Sequence, residues 1–289
     1  MNRRQFTRHV LQYAGIGFGA GLGVEVLAHL GSNRLGSLSA QNLPLPPLDS
    51  PVLDSPVVDP SPSGEVGLGV SLTWLQHSCV LFEDPALRVL VNPFRAIGCT
   101  AGYAEPAIDA DLVLISSRLF DEGYLQIVPG NPRVLLEAGD YRVDGIRFQG
   151  VRMAHDATTP QGNRFGTNVG WRWTQGGVDI VHLGGAAAPI NREQSILLAR
   201  PDLLLIPVGG GPKNYDPQGA RAAIDALQPK LVIPTMYRTE AADDSCELGS
   251  LDAFLSLVGG AVQQSPGNTL LVTPQSFPPT GFAVVTFGG

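Results

Sequence analysis

The chain has 289 residues, of which 44% are hydrophobic and only 16% charged, and its net charge is −7. This length is enough for one large domain with a substantial core. Its Lys and Arg residues are scattered without a basic stripe, which argues against nucleic-acid binding. The three cysteines, Cys79, Cys99 and Cys246, form no CxxC pair, so a structural zinc site is not expected. At most one intrachain disulfide can form, and the sequence does not choose the pair.

Residues 1–40 have the order of a bacterial twin-arginine export signal. Arg3 and Arg4 precede an apolar stretch over 13–30, and small residues follow over 37–40. Glu25 and His29 interrupt the apolar stretch, which makes it a poor permanent transmembrane helix. We expect export to a periplasm or thylakoid lumen. An uncleaved signal that anchors the protein to the membrane, or an ordinary amphipathic helix, are the alternatives.

Residues 41–65 are rich in proline, which fixes φ and removes backbone donors. They predict an extended linker, and the folded domain is then expected to span 66–289.

The domain begins with strand-like sequence and continues with strands that alternate with helices. Apolar runs predict strands at 70–82, 88–91, 111–115, 133–136, 141–150, 151–154, 168–174, 178–183, 203–207, 231–234, 270–274 and 283–287. Helices are predicted at 192–199, 217–227 and 251–258. The polar loop after the strand at 111–115 leads into a further predicted helix start. Because many strands are apolar throughout, we predict an α/β sandwich with both sheets covered by helices.

Several motifs together resemble the metallo-β-lactamase superfamily, most of all its ascorbate-6-phosphate lactonase-like branch. They are TWLQHSCVLF, VLVNPF, DADLVLISSRLFDEGY, MAHDAT, FGTNVGWRW, VDIVHLGG and the stretch from LLLIPVGGGPKNYDP to LVIPTMYRT. The resemblance covers about residues 70–260. It implies an αβ/βα four-layer sandwich of two mixed β-sheets flanked by helices, and hydrolysis by water bound to one or two metal ions, usually zinc.

Most of the family's metal-ligand positions are substituted in this chain. The resemblance places seven ligands at Ser117, Leu119, Asp121, Glu122, His155, Gly185 and Met236. Only Asp121 and His155 keep a family ligand, and in the family these two serve different metals. Leu119 and Gly185 offer no donor atom, so no metal cofactor is expected. The alternative is a single Zn, Fe or Mn ion on a rearranged site drawing on Asp121, Glu122, His155 and His77.

The two surviving positions have structural alternatives. His155 is either held by hydrogen bonds or takes part in chemistry, and Asp121 is expected to cap the helix predicted after the loop. Ser117 stands where the family places a ligand beside His155. The resemblance therefore also raises a Ser117–His155 nucleophile and base pair, with Asp121 close by.

Other residues are expected to line the pocket or to serve the core. The resemblance places these in the pocket: His77, Glu122, Lys213, Asn214, Tyr215, Met236, Tyr237 and Arg238. For His77 a core role is the competing interpretation, and His182, at the end of an apolar strand, is expected to be structural.

The loss of five ligand positions predicts an exported, non-catalytic protein of this fold. Such a protein would act as a binding, assembly or structural subunit, with an unknown protein partner or a small organic ligand. The alternative is a metal-dependent hydrolase, lactonase- or esterase-like, with the rearranged mononuclear site.

Overall fold

The computed structural model describes residues 69–156, 158–159, 162–259 and 261–288. The predicted export signal and proline-rich linker lie outside these residues. None of the helices in the described ranges is long and apolar enough to span a membrane.

Fourteen strands and three α-helices make up the described part of the chain. The strands are β1 Val70–Trp74, β2 Val80–Glu83, β3 Arg88–Val91, β4 Leu112–Leu114, β5 Arg133–Leu135, β6 Gly139–Val143, β7 Ile146–Ala154, β8 Thr167–Gln175, β9 Val178–His182, β10 Leu203–Pro207, β11 Leu231–Thr235, β12 Ala261–Ser265, β13 Thr269–Val272 and β14 Ala283–Phe287. The helices are α1 Arg192–Leu197, α2 Pro217–Leu227 and α3 Leu251–Val258.

The strands form two mixed sheets that pack face to face. The six-stranded sheet has the order β13-β1-β2-β3-β4-β5, and the eight-stranded sheet has the order β12-β14-β11-β10-β9-β8-β7-β6. Alternate residues of each strand point into the space between the sheets, as the two-residue period of a strand requires. Phe82 of the first sheet meets Trp173 of the second there, edge to face, with ring centres 5.0 Å apart.

The outer faces of the two sheets are covered differently. The opposite residues of β9, β10 and β11 pack against the three helices. Asp216 caps α2 by accepting from the Gly219 N–H, and Pro217 occupies its first turn, as the sequence predicts. The outer face of the six-stranded sheet is instead covered by loops, which include the two short 3₁₀-helices Gly98–Thr100 and Leu125–Ile127. The predicted two-sheet α/β sandwich is therefore confirmed, although α-helices cover only one sheet in the described residues.

The strand boundary predicted at 150/151 is wrong. The strands β6 and β7 turn at Asp144-Gly145, where both residues have positive φ (47° and 80°). An Asp-Gly pair is a strong signal for a two-residue hairpin turn, because it tolerates that backbone geometry. The second strand then runs without a break from Ile146 to Ala154.

Parallel pairing brings several loops to one edge of the sandwich. In the first sheet β3, β4 and β5 are parallel neighbours, and in the second β9, β10, β11 and β14 are. The carboxyl ends of parallel strands meet at one edge of a sheet, which is where such folds place ligands. At this edge the two sheets are joined: the Val169 N–H donates to the Ser116 carbonyl (2.8 Å), and Trp171 Nε1 donates to the Ile115 carbonyl (3.1 Å).

Candidate functional site

The loop after β4 is a tight turn rather than the start of an α-helix. Its first residue is fixed by Asn92, whose Oδ1 accepts from the Ser116 N–H at 2.8 Å. The Glu122 N–H donates to the Leu119 carbonyl at 3.0 Å and closes the turn. A 3₁₀-helix begins only at Leu125, with no side chain capping it. The prediction that Asp121 caps a helix here is therefore wrong.

A buried carboxylate–imidazole pair lies at the centre of this edge. Glu122 Oε1 is 3.3 Å from His155 Nε2, and both side chains are completely buried. The two atoms are close, but they lack the alignment of a hydrogen bond. Glu122 Oε2 accepts from the Gly185 N–H at 3.1 Å. This pair joins the loop after β4 to the ends of β7 and β9.

The charges around Glu122 favour its ionised form. Burial raises the pKa of this carboxyl, but nearby His155, with smaller contributions from Lys213 and His77, lowers it by more. The net pKa lies below the usual range of a glutamate, so the group is a carboxylate at neutral pH. An ionised carboxylate 3.3 Å from Nε2 stabilises a proton on that ring nitrogen. The other ring nitrogen, Nδ1, is buried and has no hydrogen-bond partner among the described residues.

Gly185, at the position of the family's bridging aspartate, faces this pair directly. A Cβ added to Gly185 would lie 2.5 Å from His155 Nε2 and 2.7 Å from Glu122 Oε1. Real Cβ atoms essentially never approach other heavy atoms so closely. The Glu122–His155 pair thus occupies space that a side chain at residue 185 needs. Residues 122 and 185 are both family ligand positions. With Glu122 at the first position in this arrangement, there is space only for glycine at the second.

The donors present do not fit the family's metal centre. In the described residues no three His, Cys, Asp or Glu side chains are arranged to hold an ion. His77 Nε2, Glu122 Oε1 and His155 Nε2 are buried without hydrogen-bond partners among the described residues, and Glu122 contacts His155. A catalytic zinc needs three protein ligands, so two converging donors are insufficient.

His77 is a neutral, buried neighbour of the pair. Burial lowers its pKa, and Asp121 and Glu122 only partly oppose that effect. Its backbone has positive φ (55°), and its carbonyl accepts from Trp74 Nε1 at 3.3 Å. The His77 backbone thus helps to end β1, and its imidazole adds a buried nitrogen, unpartnered among the described residues, to the site.

Asp121 belongs to a different part of the site. Its carboxylate forms an ion pair with Lys213, and both side chains line an open cleft of about 480 Å³. We call this the Lys213 cleft. Its walls are mostly apolar and include Phe120 and Phe165. The ring of Phe165 has its centre 6.3 Å from that of His155, so the buried pair lies next to the cleft wall.

Ser117 and His155 are not hydrogen-bonded. Ser117 is almost completely buried, and its Oγ accepts from the Leu119 N–H at 3.4 Å. Neither ring nitrogen of His155 has a hydrogen-bond partner in the described residues. The predicted nucleophile and base pair is therefore wrong in this arrangement.

Of the other predicted pocket residues, only Asn214 joins Lys213 in the cleft. It is buried, and its Oδ1 has no partner. Tyr215 lies below a separate depression beside α2 and donates to the Ala188 carbonyl at 2.7 Å. Tyr237 packs near Trp74 at another depression, with ring centres 6.0 Å apart.

A disulfide between Cys99 and Cys246 closes one side of the Lys213 cleft. Met236 is fully buried against Cys246, and Arg238 Nη1 donates to the Cys246 carbonyl at 2.7 Å. Met236 and Arg238 therefore contact the disulfide at the cleft wall but do not line the cleft. Sequence reasoning left the pairing of the cysteines open, because nothing in their spacing brings residues 147 positions apart together.

His182 has the predicted structural role. Nε2 of its ring lies 3.1 Å from the Ser78 carbonyl, and Nδ1 accepts from the Gly184 N–H at 3.1 Å. Burial lowers its pKa to about 4. It is held neutral and both ring nitrogens are used, so it is not available for chemistry.

The fold and the residues at this edge of the sheets are those of a metallo-hydrolase scaffold in which the metal-ligand positions are substituted. A family model described as a beta-lactamase superfamily domain matches residues 71–236. The chain belongs to the metallo-β-lactamase superfamily, as the motifs predict.

Similar proteins agree with this assignment. The chain is 27% identical over 191 residues to a UPF0173 metal-dependent hydrolase of Thermus thermophilus, covering 59% of this chain and 84% of the relative. It is 30% identical over 187 residues to one from Methanoculleus marisnigri, covering 58% and 81%. A solved structure from the same superfamily, from Thermotoga maritima, superposes with a TM-score of 0.59 at 26% identity, covering 76% of this chain and all of that one.

Proposed function

We propose that this protein is a hydrolase of small esters or lactones that works without the family's binuclear metal centre. The observation that carries the proposal is the buried Glu122–His155 pair, which lies beside the Lys213 cleft and leaves His155 Nδ1 without a partner among the described residues. The relatives named as metal-dependent hydrolases support hydrolysis as the class of reaction.

In this proposal the pair acts as base and orienting group. Glu122 holds the imidazole proton on Nε2, and Nδ1 takes a proton from water as the oxygen of that water adds to the substrate carbonyl carbon. When the tetrahedral intermediate collapses, the bond to the leaving oxygen breaks. His155 returns the proton to that oxygen, giving an acid and an alcohol. The relatives are named metal-dependent hydrolases, whereas the donors among the described residues of this chain do not fit a metal.

The test combines hydrolysis of 4-nitrophenyl esters and simple lactones with two variants. The substitution His155→Gln is expected to lower kcat/KM by about 10²–10⁴-fold, the usual contribution of a general base. A His182 variant is not a suitable control, because His182 is buried with both ring nitrogens hydrogen-bonded and its loss would disturb the fold. Arg118→Gln, which breaks the exposed Arg118–Glu137 pair, is the matched control and should leave the rate unchanged. An unchanged rate in a folded His155→Gln protein would refute the mechanism.

A second candidate function is non-catalytic binding of a small organic ligand, or of a protein partner, at the same cleft. It is favoured by one specific observation: Glu122 and His155 are fully buried, and neither lines the cleft. This candidate predicts ligand binding with no turnover of any ester or lactone, so the hydrolysis assay separates the two functions.

We also propose that the protein is exported through the twin-arginine route. The Cys99–Cys246 disulfide supports this, because disulfides persist in oxidising compartments and are rare in the cytosol. Replacing Arg3 and Arg4 together by lysine should retain the protein in the cytosol. Cell fractionation measures the result, and unchanged export of the double variant would contradict the proposal.

A further inference from the structure

We infer that the Lys213 cleft takes an uncharged substrate with an apolar acyl or aryl group, and discriminates against phosphorylated or other anionic compounds. The inference rests on the proposed function for turnover of such a substrate, but it concerns binding, which can be measured separately. It also departs from the phosphorylated substrate that the lactonase-like branch implies.

The walls of the cleft carry apolar side chains, some of which are exposed to solvent. Phe120 is 51% exposed although it lies at the cleft, and Leu119, Phe165, Pro212 and Leu248 continue the apolar surface. A volume of about 480 Å³ lies within the usual range for small-ligand sites. An apolar group placed here would remove the Phe120 ring from water, which is favourable in proportion to the area covered.

The charges of the cleft oppose an anion. Lys213 is the one cation among the residues that line it, and its ammonium group is already paired with the Asp121 carboxylate. Glu247 adds a second carboxylate, so one positive and two negative side chains leave a formal charge of −1. An anionic ligand would have to compete with Asp121 for Lys213 and would approach Glu247 as well.

Two arginines lie near the cleft without lining it, and their charges partly offset those of the carboxylates. The Arg95 guanidinium lies over the Phe120 ring, 5.6 Å from its centre, and that of Arg164 lies over the Phe165 ring at 4.9 Å. Both interact with the rings as cation–π partners, and neither lines the cleft.

Asn214 gives the cleft one uncharged polar side chain. It lines the cleft, and its Oδ1 is buried without a partner among the described residues. The cleft thus combines apolar walls, one neutral polar side chain and an already neutralised lysine.

The test compares two ligands that differ in one terminal group, which is a methyl group in one and a charged carboxylate in the other. Butyranilide and succinanilate have the same chain length, and the second carries a carboxylate in place of the terminal methyl group. Calorimetric titration of the purified protein should show butyranilide binding, with succinanilate weaker by roughly tenfold because of the unpaired charge. Equal or tighter binding of succinanilate, or no binding of either compound, would overturn the inference.

A charge variant provides an independent second test. The substitution Asp121→Asn leaves Lys213 without its carboxylate, so succinanilate affinity should rise by roughly tenfold while butyranilide affinity changes little. The matched control is Asp202→Asn, which breaks the Lys230–Asp202 pair away from the cleft and should change neither affinity. An Asp121→Asn protein with no gain in succinanilate affinity would contradict the inference.

The two proposals fail in different ways. If butyranilide binds but 4-nitrophenyl butyrate is not hydrolysed, the hydrolase proposal fails and the binding preference stands. If 4-nitrophenyl hexanoate and the 4-nitrophenyl half-ester of adipate are hydrolysed with equal kcat/KM, the preference fails and the hydrolase proposal stands.

Discussion

Adding one methyl group at Gly185 should destabilise the protein strongly. The φ angle of Gly185 lies outside the left-handed region, so alanine is acceptable to the backbone and only space is at issue. The new Cβ would lie 2.5 Å from His155 Nε2 and 2.7 Å from Glu122 Oε1. Overpacking costs about 1–3 kcal/mol, and losing the contact to the buried carboxylate costs about 1.5–3 kcal/mol if the loss is complete. The two side chains need to move apart only in part to make room for the new Cβ. We therefore expect Gly185→Ala to lower the free energy of unfolding by about 2–4 kcal/mol.

The assay is urea unfolding followed by tryptophan fluorescence, since Trp171 and Trp173 are buried in the core between the sheets. Gly267→Ala is the matched control. A Cβ at Gly267 meets nothing within 4 Å, and its φ is likewise outside the left-handed region. The control should unfold within about 0.5 kcal/mol of the parent protein. A Gly185→Ala protein as stable as the control would refute the conclusion that the Glu122–His155 pair fills the place of the bridging ligand.

Three further outcomes follow from the same contacts. The substitution Glu122→Gln removes the charge from a fully buried contact and should cost about 1.5–3 kcal/mol in urea unfolding, whereas Lys213→Met, at the partly exposed pair, should cost less than about 1 kcal/mol; equal costs would contradict this ranking. The pKa of His182 is lowered to about 4 from 6.5, so the unfolded chain binds a proton that the folded protein does not, and stability falls by about 3 kcal/mol as pH drops from 6.5 to about 4. Unfolding measured across that range in His182→Gln should show a correspondingly smaller pH dependence, and an unchanged slope would count against the assignment. Replacing Cys246 by serine should cost about 2–5 kcal/mol, since the disulfide closes a loop of 147 residues, and the loss should match that caused by reductant in the parent protein.

The sequence predicts the sheets well because each strand carries its own signal. β10 and β11 are uniformly apolar and buried, and the Asp216-Pro217 start of α2 is a local capping pattern. Where the prediction failed, it misjudged a local signal. The Asp144-Gly145 turn is visible in the sequence, but the predicted strand runs across it and breaks at residue 150 instead.

The site is predicted less completely, because its geometry depends on long-range contacts. The loss of ligands at Leu119 and Gly185 can be seen from residue type alone, since neither side chain has a donor atom. Glu122 contacts His155, and Asp121 pairs with Lys213 instead. Both contacts depend on a tight turn at a place where the sequence predicts a helix start. The Cys99–Cys246 bond likewise joins loops that only the folded sheets bring together.

The metal content of the purified protein tests the central claim most directly. The protein should be produced through its own export signal, purified without chelators, and measured for zinc, iron and manganese by mass spectrometry beside its activity on 4-nitrophenyl butyrate. We predict ester hydrolysis with metal far below one ion per chain, and no loss of rate after chelation. One or two ions per chain, with activity that a chelator removes, would contradict the metal-free account and place the catalytic centre on a metal site.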